Sequence, residues 1–204
     1  MMKEELLGAQ ESTMDQLQRE GIIARAVRFT TEECDAIETI VIENEPEHFD
    51  YYGSSESELE TSICTHLNTV GANTSETVAA IGRLLARLVE EMKTDFQQAA
   101  AWVTLRIFLP TTDLDTPRWH SDGHYLKNDQ GEFVSEEYKL VLAIKGAPTR
   151  FQGFEVKAGQ AVMYRVGEPG KNVHSEPEIK ESRIFMSVVV GSEAQIAELK
   201  TRFE

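Results

Sequence analysis

The run Trp119-His120-Ser121-Asp122-Gly123-His124 holds the residues of this chain best suited to chemistry. An imidazole and a carboxylate two residues apart share one face of an extended strand, so His120 and Asp122 can hold one ion between them. His174, near the end of another strand-like stretch, can supply a second imidazole. Two histidines and one carboxylate form the facial triad that binds Fe(II) and leaves coordination positions open. Arg183, nine residues after His174, begins the run Arg183-Ile184-Phe185-Met186-Ser187-Val188. Its guanidinium can pair with a carboxylate of a small diacid through two parallel hydrogen bonds.

Such a set needs strands to carry it, and the second half of the chain supplies them. Alternation predicts short strands over residues 102–109, 118–125, 138–145, 149–156, 160–166, 172–175 and 182–190. Turn signals separate several of them, at Asp129-Gln130-Gly131, Gly146-Ala147-Pro148, Lys157-Ala158-Gly159 and Gly167-Glu168-Pro169-Gly170. Many short strands without alternating helices favour a barrel or jelly roll. The first half reads differently. A polar helix over residues 3–19 ends at Gly21, and a strand follows over 22–29. Thr30-Thr31-Glu32-Glu33 is a capping box that starts a helix running to about Asn44. Residues 45–57, acidic around Tyr51-Tyr52-Gly53, read as a loop, and a helix is expected over 57–70. The longest helix spans about residues 75–99, where Val78, Ile81, Leu85, Leu88, Val89, Met92 and Phe96 keep helical spacing. That stripe is expected to be core against a sheet. Ser192 caps a closing helix.

The expected architecture is therefore α+β: a double-stranded β-helix core over residues 101–190, buttressed by helices in 1–100 and closed by a helix over 191–204, all in one domain. Net charge is −15 and uneven: residues 1–100 hold 7 Lys+Arg against 20 Asp+Glu, whereas 101–204 hold 13 against 15. So acidic a surface disfavours nucleic acid or an anionic membrane as the main partner. The near-neutral second half is the better host for a small anion. The start of the chain shows no apolar leader region, and Cys34 and Cys64 make no metal-type spacing. Both features fit a reducing, cytoplasmic setting.

The order His-x-Asp, His, Arg on clustered short strands resembles the Fe(II)/2-oxoglutarate-dependent oxygenase superfamily, over about residues 101–190. The resemblance implies that His120, Asp122 and His174 bind Fe(II), that 2-oxoglutarate is the cosubstrate with O2, and that Arg183 takes its far carboxylate. Tyr125 and Ser187 are expected as further cosubstrate contacts. The implied reaction couples decarboxylation of 2-oxoglutarate to hydroxylation of a C–H bond in a small molecule or protein side chain. Members often carry serine two residues after the arginine; here Phe185 stands there and Ser187 follows two later.

Two other readings use the same residues. A cupin-type metalloprotein without 2-oxoglutarate would use His120, His124 and His174, whereas a non-catalytic β-sandwich interaction module would leave the histidines incidental. Otherwise His124 serves as a neighbour of the ligands. Tyr125, Lys127, Tyr164, Arg106 and Arg165 are additional polar candidates for the cosubstrate carboxylate. Arg118 is expected to be solvated, as are His48 and His66 unless hydrogen-bonded. Residues 127–137 form either a lid or an ordinary hairpin tip.

Overall fold

Period-two alternation sorts strand residues onto two faces, and this molecule uses its two faces differently. The structure is a computed structural model that describes residues 12–203. Its helices are α1 (Thr13–Glu20), α2 (Thr31–Thr39), α3 (Glu56–Leu67), α4 (Ser75–Asp95) and α5 (Glu193–Phe203). Its strands are β1 (Ile22–Ala26), β2 (Phe49–Gly53), β3 (Ala100–Phe108), β4 (Tyr138–Lys145), β5 (Arg150–Phe151), β6 (Gln160–Arg165), β7 (His174–Ser175) and β8 (Arg183–Gly191).

Six strands form one antiparallel sheet in the order β1-β6-β4-β8-β3-β2. A smaller layer pairs β5 with β7, and isolated bridges join His120 to His174 and Phe151 to Phe154. From β3 onward the chain switches layer repeatedly: β3, the His120 segment, β4, β5, β6, β7, β8. That alternation between two antiparallel layers is a jelly roll, the double-stranded β-helix expected from the strand pattern.

On the outer face of the large sheet, Val103, Leu105 and Ile107 of β3 join Ile184, Met186 and Val188 of β8 in one buried core. The α4 stripe from Val78 to Phe96 packs into the same core, with every stripe residue buried. Each fully buried side chain of this kind contributes about 2 kcal/mol, so the helical first half is bound to the sheet by burial. The opposite face carries Thr104, Arg106, Lys139, Arg183, Phe185 and Ser187, and looks into a cavity between the layers.

Several boundaries differ from expectation. The capping box of α2 is present, with the Thr30 hydroxyl accepting from the Glu33 amide, but the helix stops at Thr39. The chain there is captured by Asn73, whose side chain accepts from the Val41 amide and donates to the Val41 carbonyl. Residues 49–53, expected as loop, form strand β2 beside β3. Aromatic packing outweighs the acidic flanks: Tyr52 stacks on Trp102, and Asp50 accepts from the Trp102 indole N–H at 2.8 Å. Residues 118–125 are not a full strand; they form a backbone bridge to the small layer only at His120. The strand expected over 149–156 shrinks to β5, because the chain reverses at Gly153 with φ +72°. Of the helix expected over 3–19, residues 3–11 lie outside the described residues. No described helix is long and apolar enough to cross a membrane.

Candidate metal centre

Antiparallel pairing brings the two histidines together. The His120 amide donates to the His174 carbonyl at 3.0 Å, and the His174 amide returns to the His120 carbonyl at 2.9 Å. Asp122 follows two residues later, its carbonyl accepting from the Gly167 amide at 3.0 Å. One donor atom from each of His120, Asp122 and His174 then lies within 4.8 Å of the others, close enough to surround a single ion.

Proton placement decides whether such a cluster can take a cation. His120 Nδ1 lies 2.9 Å from the Arg118 carbonyl, and His174 Nδ1 lies 2.8 Å from the Asn172 carbonyl. A carbonyl only accepts, so each Nδ1 carries a proton, and in the neutral ring the lone pair then sits on Nε2. His174 is buried, and burial holds its imidazolium form below the usual histidine range, despite the Asn172 carbonyl and the Asp122 charge. Its Nε2 stands 3.6 Å from Asp122 Oδ2.

Asp122 is the most densely bonded group of the cavity. Oδ2 accepts from the Tyr164 hydroxyl at 2.6 Å and the Lys139 ammonium at 3.0 Å, and Oδ1 accepts from the Tyr125 hydroxyl at 2.9 Å. Burial alone would raise this carboxyl, but the Lys139 charge and the Tyr164 hydrogen bond outweigh it and hold it at about 2. It is therefore anionic at neutral pH. Both tyrosines are pushed up by burial and by the Asp122 charge, which keeps them as hydroxyl donors.

Arg183 enters the same cavity of about 300 Å³ from the first residue of β8. It is 2% exposed, donates Nε–H to the Ala147 carbonyl at 2.9 Å and Nη2–H to the Thr149 hydroxyl at 3.1 Å, and lies 4.6 Å over the Phe185 ring. Among the described residues no carboxylate stands within ion-pairing distance of it. Burial lowers it to about 10, with Glu176 opposing. Its position depends on Gly146, where φ is +79° and a Cβ would come within 3.0 Å of the Arg183 Cβ.

All six residues expected at the site, His120, Asp122, Tyr125, His174, Arg183 and Ser187, line this cavity, and so does Arg106. His124 does not join the ligand trio. Its ring lies against Gly167 and stacks with Phe133 at 5.8 Å, with Nδ1 3.7 Å from Glu137. Lys127 pairs with Glu198 and Arg165 with Glu168, and neither lines the cavity. Tyr164 acts on Asp122 instead of offering itself to an anion. Arg118, expected to be solvated, is mostly exposed and pairs with Glu176 at 3.3 Å. Residues 127–133 form an ordinary hairpin tip, knit by Asn128, whose side chain accepts from the amides of Gln130 and Glu132. Lys139 was not foreseen. Its signal was a lysine inside the apolar run Tyr138–Lys145, on the face of Val141.

No family model matches the chain, and no curated protein matches it. Solved structures do. A viral collagen prolyl hydroxylase from Paramecium Bursaria Chlorella virus-1 is similar over 94% of this chain and 100% of its own, with 12% identity and a TM-score of 0.44. A rice dioxygenase for auxin oxidation is similar over 86% and 75%, with 13% identity and a TM-score of 0.43. A Pseudomonas putida prolyl-4-hydroxylase is similar over 87% and 96%, with 15% identity and a TM-score of 0.39. Likeness so distant leaves the chemistry of this molecule to be read from its own cavity.

Proposed function

We propose that this chain is an Fe(II)- and 2-oxoglutarate-dependent oxygenase that hydroxylates a small substrate. The observation that carries the reading is the donor set: two imidazoles whose Nδ1 protons are committed to carbonyls, and one carboxylate held ionised, all facing one point. Without a cation, two lone pairs and an anion would meet there with only part of the charge answered by Lys139. That fits a divalent ion of Fe(II) type, which takes imidazole and carboxylate together.

His120, Asp122 and His174 would hold the metal. Fe(II), with 2-oxoglutarate and O2, supplies the oxidising chemistry, consuming the diacid to succinate and CO2 while a substrate C–H bond is oxidised. The protein positions and protects. Lys139, Tyr125 and Tyr164 keep Asp122 deprotonated and fix its plane. The Arg118 and Asn172 carbonyls fix the tautomer and tilt of the imidazoles. Arg183, buried without an acidic partner, takes the far carboxylate of the diacid, because a desolvated cation gains most from an anion brought to it. Thr149 offers a hydroxyl bonded to that guanidinium, and Ser187 lines the same cavity four residues along β8. Phe108 and Phe185 pack on it and keep water from it.

The test is an anaerobic titration of purified protein with Fe(II) and then 2-oxoglutarate, followed by visible absorption. A weak charge-transfer band needing both additions, absent in His174→Ala, is the expected result. Iron binding without that band removes 2-oxoglutarate from the account, and no iron binding removes the metal.

A further inference from the structure

Arg106, a candidate from the sequence, has no role in the oxygenase reading, yet β3 carries it onto the cavity face. It alternates with Thr104 and Phe108 and stands directly across the ladder from Phe185, two pairs along from the Phe108–Arg183 pair. A solvent-facing arginine ordinarily needs no partner, so exposure alone means little. Its lack of an acid means more in this chain. Acidic residues number 35 against 20 basic ones, and eight of the eleven arginines have a carboxylate within 4.0 Å. Among the described residues only Arg28, Arg106 and Arg183 lack one, and the latter two share one cavity. One guanidinium lies deep and buried; the other is exposed.

The surroundings of Arg106 are built. Trp102, on the same face, is held by the Asp50 carboxylate, and Tyr125 meets its ring edge-on at 5.3 Å. Tyr125 in turn touches Asp122. An anionic group on Arg106 would therefore hold the rest of a molecule against an aromatic wall and toward the metal ligands. A cavity of about 300 Å³ is at the lower end for small-molecule sites, so beside a diacid at the Arg183 end it suits a small second molecule. A net charge of −15 repels a polyanionic chain, whereas a single oxyanion on a small molecule meets the guanidinium at short range.

We infer that Arg106 is the specificity-determining cation of the cavity, and that the substrate is a small organic molecule bearing a carboxylate or phosphate. This rests on the oxygenase reading. The test uses a Trp119→Phe background, in which Trp102 is the only remaining indole because the chain has two. The anaerobic protein loaded with Fe(II) and 2-oxoglutarate is titrated with potassium acetate and with inorganic phosphate, against potassium chloride at equal ionic strength. Trp102 fluorescence is the readout, and the visible band monitors the cosubstrate in the same cuvette. A saturable response to acetate or phosphate, absent with chloride, is expected. Arg106→Gln should weaken it by about tenfold or more, the worth of a charged hydrogen bond, and leave the 2-oxoglutarate titration unchanged. A response that chloride reproduces, no saturable response, or one indifferent to Arg106→Gln overturns the inference. So does an Arg106→Gln variant whose 2-oxoglutarate titration is the one that shifts, since Arg106 would then serve the cosubstrate. Absence of the visible band in the parent protein overturns the oxygenase reading, and the substrate assignment with it.

Discussion

Replacing Arg183 with methionine should cost the folded protein little and cosubstrate binding almost everything. Burial lowers this guanidinium from the ordinary arginine range to about 10, so the folded state disfavours its charge by about 3 kcal/mol at neutral pH, at ~1.4 kcal/mol per unit. The sign follows from the depressed value: a base whose folded pKa lies below its unfolded value is a stability cost wherever it is charged in both states. Against that, the variant loses the bonds to the Ala147 carbonyl and the Thr149 hydroxyl, about 1–3 kcal/mol for acceptors left unpaired. The two nearly cancel, so Arg183→Met should unfold within about 1 kcal/mol of the parent, whereas truncating a buried leucine costs about 2–5 kcal/mol. Calorimetry of the anaerobic Fe(II) form provides the assay. At a hundredfold excess over Kd, 2-oxoglutarate should stabilise the parent by about 2.7 kcal/mol, a rise of roughly 5–10 °C at this chain length, and leave Arg183→Met unmoved. A variant that loses more than about 3 kcal/mol without ligand would make Arg183 a structural residue. A variant still stabilised by 2-oxoglutarate would put the cosubstrate elsewhere.

Glu137 is 1% exposed, and burial raises it from 4.5 to about 7 although the Leu126 and Tyr125 amides donate to it. A carboxyl raised on folding binds its proton more tightly in the native state. Stability is thus fullest below the unfolded value near 4.5 and is lost as pH rises through about 7, by about 3 kcal/mol in all. Urea midpoints at pH 5 and pH 8 should therefore fall more steeply for the parent than for Glu137→Gln, and parallel slopes would contradict this. Gly167 combines φ +87° with a Cβ position 2.0 Å from the His124 ring. Gly167→Ala should destabilise by about 2 kcal/mol or more, with denaturant titration as the check, and an unchanged midpoint would mean that the ring moves aside freely.

The helix stripe of α4, the strand alternation and the order of the site residues were legible because each is a local period or spacing. What sequence hid was set by partners far along the chain. β2 looks like an acidic loop until β3 offers Trp102 and Thr104 to Asp50. Residues 118–125 have the alternation of a strand but bridge to the small layer's backbone only at His120, because that layer consists of little more than β5 and β7. Lys139 was overlooked because a lysine in an apolar strand reads as an edge position, and only the β4–β6–β8 pairing shows it to be interior. His124 matched a metal-ligand spacing, but spacing along the chain says nothing of which way a ring turns once Gly167 leaves it a slot.

Chemistry and stability share β8 through alternation alone: Ile184, Met186 and Val188 face the helices, while Arg183, Phe185 and Ser187 face the cavity. A slip of one residue would exchange these sets, driving a guanidinium into the apolar core and a methionine toward the metal ligands. The ladder guards against this where the site needs it. Between Ala143 and Lys145 the pairing with Phe185 and Ile184 shifts register, so β4 absorbs one extra residue just beside Arg183. Gly146 follows, with its left-handed turn pressed against the Arg183 Cβ. That irregular corner therefore fixes where the buried cation stands, and the regular strands on either side supply the stability that holds it there.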